Sequence, residues 1–532
     1  MNWICSSRVS IGSVSIKALI LATALPSFSA TPPTHGPKAL TESGAIFGVR
    51  ESGISVYKGV PFAAPPTGDL RWRAPGPVAH WIGVRKADAF APACMQTGVS
   101  MPGETPPAVS EDCLYLNIWT PAKQAREHLP VIVWIYGGGY INGSASMPLY
   151  WGDRLAAKGV VVVSIAYRLG PLGFLALPEL TRESPQHSSG NYGLMDQIAA
   201  LEWVKRNISA FGGDPNCVTI AGQSSGSISV SILMSSPLAK GLFQRAIGES
   251  GGLFEPVQLA PKYLLANAEG DGEKYATSLG ATTLKELRAL PATQFTGNAG
   301  GIVHPVIEPY VLPVSPYEAF NAGQQNDVPL LLGSNLEEAR ALVDVTHVTA
   351  ATYANDITQS YGPLPPPLLA AYPHATDDEA QQARLGLERD LRFGWDMWAW
   401  ARLQAGTGKS PVYYYSFRQQ PPFPTGSVYE GWGASHFAEL WYAFDHLNQE
   451  PWHWSTADRK VAEEMSGYWV NFARSGDPNA PGLPTWPSFT NAGNKVLYLG
   501  DPVTVGVTAN INSLSVFDEV YSSVRGKPFA GR

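Results

Sequence analysis

Short runs of apolar, largely β-branched residues recur along the chain at Val131–Tyr136, Val160–Ile165, Cys217–Ala221, Val328–Gly333 and Val412–Tyr415. A strand that is apolar on both faces must be covered on both, and sheets of such strands are mostly parallel. Between the runs lie stretches of helical periodicity, such as Leu194–Asn207, which ends before Gly212-Gly213-Asp214-Pro215. This alternation predicts an α/β fold, with a central mostly parallel sheet and helices on both faces. Proline-rich breaks at 363–367 and 421–424 flank a Trp-containing helical segment that reads as an insertion within one domain. No internal repeat or low-complexity tract interrupts the pattern.

The N-terminus departs from it. Residues 1–30 carry Arg8 and Lys17 but no acid, then the short apolar run Ala18–Leu25, then the small residues Ser27, Ser29 and Ala30. A positive start, a short apolar stretch and a small-residue exit predict a secretory signal peptide over 1–30, with a single domain over 31–532 and a secreted or periplasmic location. Three of the four cysteines remain after its removal, Cys94, Cys113 and Cys217. A Cys94–Cys113 bridge would close a loop whose constraint contributes roughly 3 kcal/mol. Cys217, in an apolar run, is expected to be a free, buried thiol.

Composition narrows the function. Hydrophobic residues make up 45% and aromatics 11%, which excludes disorder. Charged residues are only 15% and the net charge is −7, with no basic run. A nucleic-acid partner would need a basic stripe, so none is expected. No stretch approaches the ~18 consecutive apolar residues of a membrane span.

The pattern G-x-S-x-G occurs twice, at Gly222–Gly226 and Gly248–Gly252. A nucleophile elbow needs a strand leading in and a helix leading out. Ser224 follows the run Cys217–Ala221 and precedes the amphipathic start Ser227–Leu233, whereas Ser250 follows a helical-looking stretch, Lys240–Ala246. Context therefore selects Ser224 as the nucleophile, and Ser250 reads as a turn ending a short strand. Gly137-Gly138-Gly139 directly follows Val131–Tyr136, where glycines let backbone N–H groups face a substrate carbonyl. A serine hydroxyl needs a base, and the chain order of such hydrolases is serine, acid, histidine. His436, on the small-residue loop Gly431–Phe437, is the best-placed histidine after Ser224. The acid is expected at Glu337 or Glu338, just beyond Val328–Gly333, because strand ends carry active-site groups in these sheets.

Other features carry less. Gly406–Ser410 has a phosphate-loop look, but Leu403 stands where that motif needs glycine. No Cys-x-x-Cys, His-Glu-x-x-His or His-x-His is present, so no metal and no cofactor are expected. Trp395, Trp398 and Trp400 cluster within little more than a helical turn, as core packing or as the lining of an acyl pocket.

These residues, with Tyr57–Ala63, Leu70-Arg71-Trp72, Ser110–Asn117, Tyr167–Phe174, Phe211–Pro215 and Gly476–Asn479, resemble the type-B carboxylesterase family, relatives of cholinesterases and fungal lipases. The resemblance implies an α/β-hydrolase fold with helical insertions over the active site. It aligns Gly333-Ser334-Asn335-Leu336-Glu337-Glu338 with the family's acid motif, which puts the triad acid at Glu338 beside Ser224 and His436. It further implies an oxyanion hole from Gly138, Gly139 and Ser225, a Cys94–Cys113 disulfide and a structural Arg71–Glu111 ion pair. Gln223, Tyr140 and Phe437 adjoin these groups and are expected to contact substrate. Gln223 replaces the glutamate of cholinesterases, and Gly103-Glu104 stands where a choline-binding Trp would be, so a quaternary ammonium is not favoured. The Cys94–Cys113 loop is rich in Pro and Gly, unlike an amphipathic lipase lid. The expectation is a serine carboxylesterase acting on neutral, short-to-medium acyl small-molecule esters. The alternatives are a lipase and a catalytically silent adhesion or binding homologue.

Overall fold

The computed structural model describes residues 36–99, 101, 104–297 and 299–529. The expected signal peptide 1–30, the domain's first residues from 31, and Pro102 and Gly103 of the cysteine loop lie outside the described residues.

An 11-stranded sheet organises the chain. Numbered within that sheet, its strands are β1 (Val49–Glu51), β2 (Ile54–Pro61), β3 (Tyr115–Thr120), β4 (Leu129–Ile135), β5 (Val161–Ile165), β6 (Gly213–Gln223), β7 (Arg245–Glu249), β8 (Leu330–Asn335), β9 (Val412–Phe417), β10 (Lys495–Leu499) and β11 (Thr504–Val507). Their spatial order is β1-β2-β3-β5-β4-β6-β7-β8-β9-β10-β11. The stretch from β5 to β10 is parallel, and both edges are antiparallel. Val161 to Ile165 are buried throughout, as the apolar run requires. Helices α1 (Tyr192–Asn207), α2 (Ser225–Ser235), α4 (Trp395–Thr407) and α5 (Thr456–Ser475) flank the sheet, while α3 (Asp377–Arg389) and α6 (Ile511–Arg525) pack on other helices. This is the α/β-hydrolase fold.

Two local expectations change. Lys240–Ala246 is not helical: a short 3-10 turn at Pro237–Ala239 leads into β7, and Ala246 and Ile247 pair with β6 and β8. Strand pairing in the sheet overrides local helical periodicity there. Helix α2 is buried on nearly every side and not merely along one stripe, which explains its small residues Ser225, Gly226, Ser227 and Ser229.

Trp395, Trp398 and Trp400 belong to the core. The Trp395 and Trp398 indole N–H groups donate to Asp518 at 2.8 Å and to Asn494 at 3.1 Å. The Trp400 ring packs on Gly248. Cys94 and Cys113 are disulfide-bonded, and Arg71 and Glu111 form a two-pronged ion pair at 2.5 and 2.7 Å. Cys217 is free but half-buried, so the expected full burial is corrected: it precedes the buried stretch Val218–Gln223 of β6, with the Arg245 guanidinium 3.2 Å from its sulfur. No helix among the described residues is long and apolar enough to cross a membrane.

Candidate active site

The parallel strands deliver their chemistry at one edge. Gln223 and Glu249, the last residues of β6 and β7, are in register with Gly333 of β8. Ser224 follows β6 directly and adopts φ 56°, ψ −126° before α2 begins. A non-glycine residue in that region carries strain of order 1–3 kcal/mol, which the packing around it must offset. Gly226 makes the turn possible: a Cβ there would overlap the carbonyl oxygen of Ile135 at the end of β4. The Ser224 N–H donates to the Glu249 carbonyl at 2.8 Å, and the Ser224 carbonyl accepts from the Ile228 N–H at 2.9 Å.

Beyond β4 the glycine triplet bends across the same edge, with φ 110° at Gly138 and 63° at Gly139. Both are left-handed-region values that a side chain would resist. Among the described residues, the N–H groups of Gly138 and Gly139 have no protein acceptor. The Tyr140 N–H donates to Ser225 Oγ at 3.3 Å, and its buried hydroxyl pairs with Ser229 Oγ at 3.2 Å.

The strand-end segment after β8 holds the carboxylate. One Glu338 oxygen accepts from the Asn335 N–H at 2.7 Å, and the other lies 2.7 Å from His436 Nδ1. Glu338 is 0% and His436 2% exposed, so the contact is screened by little water. The histidine loop after β9 is clamped to β8: the Asn335 amide donates to the Ser435 carbonyl at 2.7 Å and to Glu439, and the His436 N–H to the Glu338 carbonyl at 3.3 Å. Phe393 stacks on the imidazole at 4.5 Å between centroids. The neighbouring Glu337 faces elsewhere, accepting from the Ala434 N–H at 2.9 Å and pairing with Arg340 at 2.8 Å.

A cavity of about 1480 Å³ opens on this edge, and its wall includes Gly138, Gly139, Tyr140, Ser224, Ser225, His436 and Phe437. Ser250, Glu337, Trp395, Trp398 and Trp400 do not line it. Gln223, expected to contact substrate, is fully buried and also absent from the wall. Its amide nitrogen stands 3.4 and 3.5 Å from the two ring nitrogens of His436, so it supports the imidazole instead of facing the cavity.

Sequence reasoning missed two groups here. Burial pushes the Glu249 carboxyl up to about 8, although the Trp469 indole N–H donates to it at 2.9 Å. Burial, with Glu338 and Glu249 nearby, also holds Glu439 well above the usual carboxylate range. Glu249 had a visible signal, since it occupies the second G-x-S-x-G, but nothing in the linear pattern showed that this turn adjoins the first.

The family model for the carboxylesterase family matches residues 35–516. A fumonisin B1 esterase from Sphingopyxis macrogoltabida is 36% identical, over 95% of this chain and 94% of its own length. A para-nitrobenzyl esterase from Bacillus subtilis is 32% identical over 87% and 95%. Among solved structures, a carboxylesterase of Geobacillus stearothermophilus superposes with a TM-score of 0.78 at 32% identity, covering 90% of this chain and 99% of that one. The chain belongs to the carboxylesterase family, carboxylic ester hydrolases built on the α/β-hydrolase fold.

Proposed function

We propose that the protein is an exported serine carboxylesterase working through Ser224, His436 and Glu338. The observation that carries this reading is the buried 2.7 Å contact between Glu338 and His436 Nδ1, with His436 sharing one cavity wall with a serine held at φ 56°. Ser224 Oγ attacks the ester carbonyl while His436 Nε2 takes its proton. Glu338 keeps the proton on Nδ1 and stabilises the imidazolium. The tetrahedral oxyanion is received by the N–H groups of Gly138, Gly139 and Ser225, at the positive end of α2. His436 then protonates the departing alcohol, and water, deprotonated by the same histidine, releases the acid and restores Ser224.

The wall favours neutral esters. Burial pushes its acidic side chains Glu255 and Asp396 toward the uncharged form, so the wall offers little to hold a cationic substrate. The Cys94–Cys113 loop has no helix among its described residues, which supports soluble, short-to-medium acyl substrates over lipid emulsions. Export and a signal peptide over 1–30 belong to the same proposal, supported by the disulfide.

A panel of p-nitrophenyl esters of increasing chain length, with tributyrin and butyrylthiocholine, tests the reading. Rates should peak at short to medium chains, stay smooth across the solubility limit of tributyrin, and be poor with the choline ester. A jump in rate at the emulsion interface would make the protein a lipase.

A further inference from the structure

One side of the cavity wall is polar in a way the triad does not use. It is built from the segment after β7 and from α4. A Cβ on Gly251 would overlap the Ser224 carbonyl oxygen, so this segment lies directly on the nucleophile's backbone. The next residue, Gly252, packs against Asp396, where a Cβ would meet the aspartate's Cβ at 3.0 Å. Asp396 is thus two packing steps from Ser224.

Asp396 is 5% exposed and lines the cavity. One of its oxygens accepts from the Phe254 N–H at 3.1 Å, while the other has no partner among the described residues. No ion pair joins Asp396 or Glu255 to a cation among the described residues, and Glu255 faces the Tyr263 hydroxyl. Across the Tyr263 ring, 5.3 Å away by centroids, stands His304, also 5% exposed and also on the wall. Its Nδ1 lies 2.9 Å from the Pro305 carbonyl, which fixes the proton on that nitrogen and leaves Nε2 as an acceptor without a partner. Two acceptor atoms on largely buried side chains therefore face one cavity, with no protein donor among the described residues.

We infer that Asp396 and His304, with Glu255 and Tyr263, form a subsite that binds hydroxyl groups on the substrate, selecting hydroxylated neutral esters over their plain counterparts. The inference rests on the esterase reading above. An acceptor that a bound substrate cuts off from cavity water without matching is costly, so a substrate without a donor is penalised as well as unrewarded. A hydroxyl also suits a carboxyl group that keeps its proton, because each can donate and accept. Burial and the neighbouring Glu255 hold Asp396 well above the usual carboxylate range, and burial keeps His304 neutral by lowering its affinity for a second proton. A substrate ammonium is disfavoured, since Lys262 already acts on both Glu255 and His304.

The test compares kcat/KM within ester pairs: ethyl 3-hydroxybutyrate against ethyl butyrate, and glycerol 1-butyrate against propyl butyrate. In the wild type at least one pair should favour the hydroxylated ester about tenfold or more, the size expected for one matched buried acceptor. Asp396→Ala and His304→Phe, the second keeping the ring against Tyr263, should each shrink that ratio to within about threefold of unity. The readout is a ratio within one protein, so partial loss of folded enzyme does not imitate it. If Asp396→Ala does not fold, His304→Phe decides alone. The inference is overturned if neither pair shows a preference, if the preference survives in the folded variants, or if ethyl 3-aminobutyrate outruns the hydroxy ester. Plain esters hydrolysed without preference sink the subsite alone; no ester hydrolysed, with Ser224 unlabelled by an organophosphate, sinks the esterase reading itself.

Discussion

Ser250 and Ser224 share one backbone posture, φ 54° and 56°, at the ends of the adjacent parallel strands β7 and β6. Each continues the ladder sideways, Ser224 N–H to the Glu249 carbonyl at 2.8 Å and Ser250 N–H to the Gly333 carbonyl at 2.9 Å. The two turns differ in outlook: Ser224 meets the cavity, and Ser250 is fully buried.

Ser224→Ala should therefore lower turnover by at least ~10³-fold, as for other losses of a triad member. Ser250→Ala should keep most of the activity. Active-site titration with an organophosphate, followed by peptide mapping, checks this, and label on Ser250 with Ser224 untouched would refute it.

Glu338 and Glu337 separate as cleanly. Loss of the acid that holds Nδ1 leaves the imidazole in the wrong tautomer, which costs up to ~10⁴-fold in kcat. Glu338→Gln should show a loss of that order. Glu337→Gln gives up only a part-exposed ion pair with Arg340, worth about 0–1 kcal/mol, and should stay within about tenfold of wild type. The opposite ranking in steady-state kinetics would move the triad acid by one residue.

Much of this was legible in the sequence because it is local. The runs Val131–Tyr136, Val160–Ile165 and Val412–Tyr415 fall on strands β4, β5 and β9 to within a few residues, since double-sided burial writes itself as continuous apolar residues. Strand ends and glycine-rich turns leave a linear signature that singled out Ser224 and His436 and narrowed the acid to Glu337 or Glu338, and the resemblance to the family's motif then pointed to Glu338. Gln223 could not be placed, since whether a side chain next to the nucleophile faces ligand or imidazole depends on a loop 213 residues away. Asp396 and His304 were equally invisible: Asp396 meets Phe254 from 142 residues away, His304 faces Tyr263 across a loop, and helical periodicity marked Asp396 only as one polar residue among tryptophans.

Glu249 gives stability a pH dependence of definite sign. Its carboxyl titrates at about 8 in the folded protein, against the ordinary 4.5. Between those values the folded state holds a proton that the unfolded chain has released, so this group's contribution to stability falls as pH rises, until the folded state also ionises near pH 8. Glu249→Gln keeps an acceptor for the Trp469 N–H and removes the ionisation. The variant's thermal stability relative to wild type should therefore rise from pH 5 to pH 8.5. A difference in Tm that does not change with pH would contradict the assignment.

Mass spectrometry of the non-reduced protein should find one disulfide, Cys94–Cys113, with Cys217 alkylated under mild denaturation. Replacing both bridged cysteines by alanine should cost roughly 3 kcal/mol by loop entropy. Because Val99 of that loop lines the cavity, KM should shift more than kcat. Cys217 paired with either partner would overturn the pairing.

The parallel register has a consequence for how such an enzyme can change. Ser224, the glycines after β4, Glu338 and the His436 loop are all spaced by neighbouring strands of one sheet, about 4.8 Å apart, and a slip of one residue would move a group by about 3.3 Å and turn it to the other face. Chemistry is therefore tied to the part of the molecule least able to vary. His304 and Val99 sit outside the sheet on connecting loops, and Asp396 on the crossover helix α4, so these side chains can be exchanged without altering the strand spacing. Descendants of this chain can trade one ester for another by rewriting the wall while inheriting the reaction intact.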